Sequence, residues 1–157
     1  METVTVNITR ASVLADMKVK SHAEVAHIQD DKQRYLAELG TEKEQEAHQC
    51  ITDAASDVAA FIRPLLVFTS GTETATDAYD TTAAITYTLS VTARKAPGMA
   101  DALAKTIHAY IVDAALSKFY GSVAQGDLAE IHRVRLASEL ADINNIIYRR
   151  SKPTYTA

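Results

Sequence analysis

The string His22-Ala23-Glu24-Val25-Ala26-His27 holds the residue types of a zinc site, two imidazoles and a carboxylate. A helical zinc protease places its histidines at i and i+4, so that both leave one face, with the acid directly after the first. Here the histidines stand five apart, about 140° round a helix, and the acid is displaced by one position. The pattern predicts two surface histidines. Asp30-Asp31 offers hard oxygen ligands, but a divalent cation takes several oxygens from a formed loop. No Asp-x-Asp-x-Asp-Gly spelling follows, so a solvated acidic turn is expected. Cys50 borders a helical apolar stripe and reads as a buried thiol, since a reactive thiolate needs a cationic, partly exposed setting. His108 and His132 fall in separate helical segments with no Cys, His or Asp signature around either. Ser70-Gly71-Thr72 has one glycine and no following Lys-Ser/Thr, unlike a phosphate loop. These readings predict no catalytic residue, no metal ligand and no cofactor.

Charge gathers instead at the end of the chain. Tyr148-Arg149-Arg150-Ser151-Lys152-Pro153 puts three cations in four residues and then a proline, which forbids further helix. Thr154-Tyr155-Thr156-Ala157 follows as an extended strip with one aromatic. Cations at a helix C-terminus complement its dipole, which accounts for Arg149 and Arg150. An aromatic strip beyond a proline stays frayed unless it docks. Tyr148, Arg149, Arg150, Lys152, Pro153 and Tyr155 are therefore the candidate partner-docking residues.

The elements that carry these residues follow from periodicity. Thr3-Val4-Thr5-Val6-Asn7-Ile8 alternates with period two and predicts a short strand. Thr9 is placed to cap a helix over 10–19, with Val13, Leu14 and Met17 on one face. Residues 20–40 show a weaker pattern, part helix and part loop. Thr41-Glu42-Lys43-Glu44 spells a capping box, opening a helix whose stripe is Ala47, Ile51, Ala54, Val58 and Phe61 and which Pro64 ends. Residues 65–69 are β-friendly, and a polar loop follows. Residues 84–92 then alternate strictly: Ile85, Tyr87, Leu89 and Val91 on one face, Thr86, Thr88, Ser90 and Thr92 on the other. Segments 65–69 and 84–92 are expected to pair antiparallel. A two-stranded ribbon is marginal alone, so Phe68, Thr86, Thr88, Ser90 and Thr92 are candidate intersubunit residues. Pro97-Gly98 resets the backbone before a helix carrying Met99, Leu103, Ile107, Ile111 and Ala114, with Gly121 as its stop. A last helix from about Asp127 carries Ile131, Leu136, Leu140, Ile143 and Ile147, with a slip of phase near Val134. The expected fold is mainly helical α+β. A single domain, 1–150, combines a helical bundle, a short N-terminal strand and a β insertion at about 65–94. An extended tail, 151–157, follows it.

Composition agrees with one globular domain. The 157 residues are 47% hydrophobic and 23% charged, with a formal net charge of −4. An acidic balance does not seek nucleic acid or an anionic membrane. No apolar run approaches the ~20 residues of a membrane span, and residues 1–10 show no apolar signal region. A lone cysteine makes no internal disulfide and fits a reducing compartment.

The order of these elements resembles the head–tail connector (adaptor) and neck proteins of tailed bacteriophages and prophages. The local matches are Phe61-Ile62-Arg63-Pro64-Leu65-Leu66-Val67, Leu116-Ser117-Lys118-Phe119-Tyr120 and Ile146-Ile147-Tyr148-Arg149-Arg150-Ser151-Lys152-Pro153. The resemblance implies a non-enzymatic virion protein of the neck, assembled in the host cytoplasm as a homo-oligomeric ring that joins portal to tail. Its implied partners are copies of itself and the portal and tail or neck proteins, with DNA passing through the ring and no membrane contact. Connectors usually lack the long initial and central strands read here, so a tail-completion or terminator protein of the same neck is an alternative. Two rivals belong to other classes: a small metal-dependent hydrolase using His22, His27, Asp30 or Asp31, and a regulatory binding module.

Overall fold

The computed structural model describes residues 1–67, 84–92 and 94–150. Within them the fold is mainly helical α+β, as the periodicities predict. The alternation at the N-terminus forms β1 (Glu2–Thr9), and the chain turns directly into α1 (Arg10–Val25). A short α2 (Asp31–Ala37) leads through a 3₁₀ turn, Thr41–Lys43, into α3 (Glu44–Phe61). A second 3₁₀ turn, Arg63–Leu65, contains Pro64. After β2 (Ala84–Val91) come the two longest helices, α4 (Met99–Ser122) and α5 (Gly126–Tyr148).

The sheet differs from the expected ribbon. β2 pairs along its whole length with β1, antiparallel, from Glu2 opposite Val91 to Thr9 opposite Ala84. The described part of the segment expected to pair with β2 also meets it: an antiparallel bridge joins Leu66 to Leu89, and the Val67 N–H donates to the Thr88 carbonyl at 2.9 Å. Phe68 and Thr69 lie outside the described residues. Side-chain pairing accounts for the β1–β2 ladder. On the core face β1 sets Val4 against Leu89, Val6 against Tyr87 and Ile8 against Ile85, and such cross-strand pairs are the unit of sheet stability. The opposite face is polar: Thr3, Thr5, Asn7 and Thr9 are exposed, and Thr86, Thr88 and Ser90 are half-buried.

Other boundaries move for local reasons. α1 runs on to Val25, because Val13, Met17, Ser21 and Val25 keep one buried stripe at a spacing of four. Asp30 caps α2, accepting from the N–H of Lys32 at 2.9 Å and of Gln33 at 3.3 Å. Thr41 makes no capping bond. The Glu44 carboxylate is held by Lys18, and Lys43 turns back to bond the carbonyls of Tyr35 and Glu38, both at 2.9 Å. α4 passes through Gly121 and ends where Ala124 takes a left-handed φ of 60°, with Gln125 N–H on the Tyr120 carbonyl at 2.9 Å. Gly98 supplies a φ of 73° at the entry to α4, which costs glycine little.

α4 is the hub. It touches α1, α3, α5 and β1, and every residue from Tyr110 to Leu116 is buried. A helix apolar on all sides belongs in a core. α3 presents Ala47, Ile51, Ala54 and Val58 as predicted, but Phe61 is 41% exposed. Tyr87 ties β2 to α3 by donating its hydroxyl to the Ala55 carbonyl at 2.7 Å. On α5, Ile143 and Ile147 are buried and Leu136 and Leu140 half-buried, whereas Ile131 is 47% exposed. His132 takes the inward position instead. Among the described residues no helix is long and apolar enough to cross a membrane.

Val58→Asp is expected to abolish cooperative folding, because it puts an unpaired charge at a fully buried site. Phe61→Asp, one turn on and outside the core, is expected to cost less than about 1 kcal/mol. Thermal unfolding followed by circular dichroism separates the two. Equal midpoints for both variants would contradict this packing.

Candidate functional site

The chemistry of the chain converges on Asp113, in the middle of the buried run of α4. A carboxylate at 2% exposure is costly unless paired and hydrogen-bonded. α5 supplies the partner. His132 Nδ1 lies 2.7 Å from Asp113 Oδ1. Its other nitrogen, Nε2, lies 2.8 and 2.9 Å from the two carboxylate oxygens of Glu24, near the end of α1. Carboxylates only accept, so both ring nitrogens donate, and the ring is the imidazolium. Tyr120 stacks on that ring, centroids 5.8 Å apart and planes 24° apart. Glu139, two turns along α5, shares a hydrogen bond with Asp113. Lys20 Nζ and Arg135 reach Asp113 Oδ1 more loosely, at 3.9 and 3.8 Å, from half-exposed positions.

The protonation states follow from these contacts. Burial works against the charged form of His132, but the hydrogen bonds and charges of Asp113 and Glu24 outweigh it and raise the imidazole above its ordinary value. Burial also opposes ionisation of Asp113, yet the bonds to His132 and Glu139 and the Lys20 charge hold it below the usual carboxylate range. Two adjacent carboxyls cannot both ionise freely. Glu139 therefore keeps the shared proton: burial, then Asp113, push it up to about 8.

What this arrangement can do is limited by access. His132 is fully buried, and the Glu24 side chain is 24% exposed. The nearest hydroxyls belong to Tyr120, raised by burial, and Ser21, which accepts the Leu39 N–H at 2.9 Å. The cluster ties α1, α4 and α5 together. Among the described residues no group of three or more His, Cys, Asp and Glu side chains could hold a metal ion.

The other candidates scatter. His22 is exposed and pairs with Glu38 at 2.6 Å, and His27 is exposed. Asp30 is spent on its cap. Cys50 is buried, its thiol pushed up to about 11 by burial and then by Glu46 and Asp53. His108 bonds Asp16 beside an open groove of about 340 Å³ lined by Thr9, Ser12 and Lys105. Ser70, Gly71 and Thr72 lie outside the described residues.

The candidate docking residues come closer together. Tyr148 and Arg149 are exposed. Arg150 turns inward: its Nε donates to the Thr92 hydroxyl at 2.7 Å, and a terminal nitrogen donates to the carbonyls of Ile147 and Arg149 at 2.7 and 2.9 Å. An antiparallel bridge joins Arg150 to Lys95. The Thr86 hydroxyl donates to the Asn7 side chain at 2.9 Å, and the Ser90 hydroxyl bonds Met1 Sδ. Lys152, Pro153 and Tyr155 lie outside the described residues. Beside Tyr148, a small notch of about 50 Å³ is lined by Phe61, Ile62, Pro64, Leu65, Asn144 and Ile147.

Sequence reasoning missed the Asp113–His132 centre, although a signal was there. Placing His132 rather than Ile131 in the stripe of α5 gives 132, 136, 140, 143 and 147, which removes the slip of phase. Asp113 likewise stands alone in an apolar run. Comparison with family models, with curated proteins and with solved structures gave no match.

Removing one member of a buried ionic group costs about 3–5 kcal/mol, because its partner is left charged and unpaired. His132→Phe is expected to lose that much, and adding Asp113→Leu to recover part of it. Denaturant unfolding of both variants is the measurement. A wild-type midpoint for His132→Phe would show that the cluster carries no stability.

Proposed function

We propose that this chain is a structural virion protein: a ring-forming head–tail connector that joins portal to tail in the phage neck. The observation that carries the reading is where the C-terminal cations lie. Arg150 is pinned to Thr92 and Lys95, just past the end of β2. The polar sheet face, Arg149 and the notch flanked by Phe61 and Tyr148 are thereby tied to one end of the bundle. Exposed aromatic and arginine side chains beside a small recess suit a protein interface. The resemblance of the three sequence segments to neck proteins supplies the identity of the partners: copies of the chain, the portal and the tail or neck proteins.

In this reading the protomer core is α3, α4 and α5. The sheet face and the segment beyond Arg150 meet neighbours. Assembly, and not turnover, is the mechanism, and the site of action is the neck of the particle.

Light scattering on the free protein, together with proteomics of purified particles, tests the proposal. Absence of the chain from purified virions would sink it. Arg149 is the informative position, since its side chain is exposed while Arg150 is used within the protomer. Arg149→Glu is expected to lower particle yield, with the protomer's thermal midpoint unchanged. Arg150→Glu is expected to lower both. Normal particle yield from Arg149→Glu would remove that cation from the interface.

A further inference from the structure

The Asp113–His132–Glu24 cluster does more than a buried ion pair requires. One nitrogen of the His132 ring is enough to pair with Asp113. The second, to Glu24, reaches across to a third helix. α1 packs chiefly on α3, α4 and β1, so its Glu24 reaches α5 through the His132 ring. That contact requires the ring to carry both protons, because a neutral imidazole has one donor nitrogen and cannot serve two carboxylates.

We propose that the Asp113–His132–Glu24 bridge is a proton-operated latch. It holds the last turns of α1 against α5 while His132 is doubly protonated, and releases them when the cluster gives up its protons. The groups facing the ring from each packed element define the two states. α1 contributes Glu24 and Lys20, α4 contributes Asp113 and Tyr120, and α5 contributes Arg135 and Glu139. With the protons in place, His132, Lys20 and Arg135 face the charges of Asp113 and Glu24, and Glu139 is neutral. Two protons leave to bulk water, one from the ring and one from the Asp113–Glu139 pair. Three carboxylates then face Lys20 and Arg135 alone, whose heads are half-exposed and nearly 4 Å away. Glu24, already at the edge of solvent, is the member free to leave.

The titration directions agree in sign. His132 and Glu139 are both raised in the folded state. Their stabilisation is complete below their ordinary values, 6.5 and 4.5, and is lost as pH rises through the folded ones, about 8 for Glu139. Asp113, held low, acts oppositely: its contribution is present above 3.8 and is lost only in stronger acid. The latch is therefore closed in mild acid and opens on the alkaline side of neutral.

Amide hydrogen exchange on the full chain tests this, comparing peptides covering 20–28 with peptides covering 48–60 of α3. Between about pH 6 and about pH 9, after correction for intrinsic exchange, protection of 20–28 is expected to fall about tenfold more than that of α3. Glu24→Gln removes the charge at a partly exposed position and is expected to leave 20–28 equally weakly protected at both pH values. Glu139→Gln keeps a neutral hydrogen-bonding partner for Asp113 at every pH and is expected to move the onset of opening upward. Parallel loss of protection in 20–28 and α3, or no loss in either, would overturn the latch. So would a Glu24→Gln protein that keeps the wild-type pH dependence, and this variant decides the matter even if Glu139→Gln fails to fold.

Discussion

One carboxylate organises the molecule. Asp113 sits in a stretch of α4 that is buried on every side, where an unpaired charge costs about 3–5 kcal/mol, a large part of a domain's net stability. α5 must therefore bring His132 to it, which fixes the rotation of α5 about its axis. That rotation puts Ile143 and Ile147 into the core and turns Ile131 outward. α1 must in turn bring Glu24 to the second nitrogen of the same ring. Three helices widely spaced in the chain are locked in register by one imidazole.

The sheet obeys a simpler constraint. Two strands bury too little by themselves, so β1 and β2 lay their apolar faces on the helices, with α4 beneath β1 and Tyr87 bonded to α3. The outward face is left with threonine, serine and asparagine. Arg150 closes the arrangement at the far end by hydrogen-bonding to Thr92. The end of α5 is thus fixed to the end of β2, and the chain beyond it starts from a defined place.

Polar contacts in this fold fall into two kinds. Exposed pairs such as His22 with Glu38 or Lys118 with Asp57 are screened by solvent and contribute little. The Asp113 cluster is desolvated and connected, so its members stand or fall together. Sequence inspection weighted the first kind, because His22 and His27 are adjacent in the chain. The second kind is assembled from residues 19 and 108 positions apart.

Several features were fixed by local sequence. Strict alternation defined β2 and β1, because side chains of period two can serve a half-buried sheet and little else. The stripe from Ala47 to Val58 and the run from Met99 to Ala114 defined α3 and α4, and Pro64 and Pro97-Gly98 marked real breaks. Cys50 was legible as a buried thiol from its place beside a stripe. Tertiary structure decided the rest. β1, which no local signal had joined to β2, pairs with it along its whole length because three apolar pairs across about 80 residues of chain outweigh a loop-closure entropy that grows only slowly with length. Thr41 lost its cap to a 3₁₀ turn once Glu44 was drawn to Lys18 on another helix. His132 displaced Ile131 from the core because a buried charge on α4 had to be met, and a partner's charge cannot be read from a helix's own periodicity.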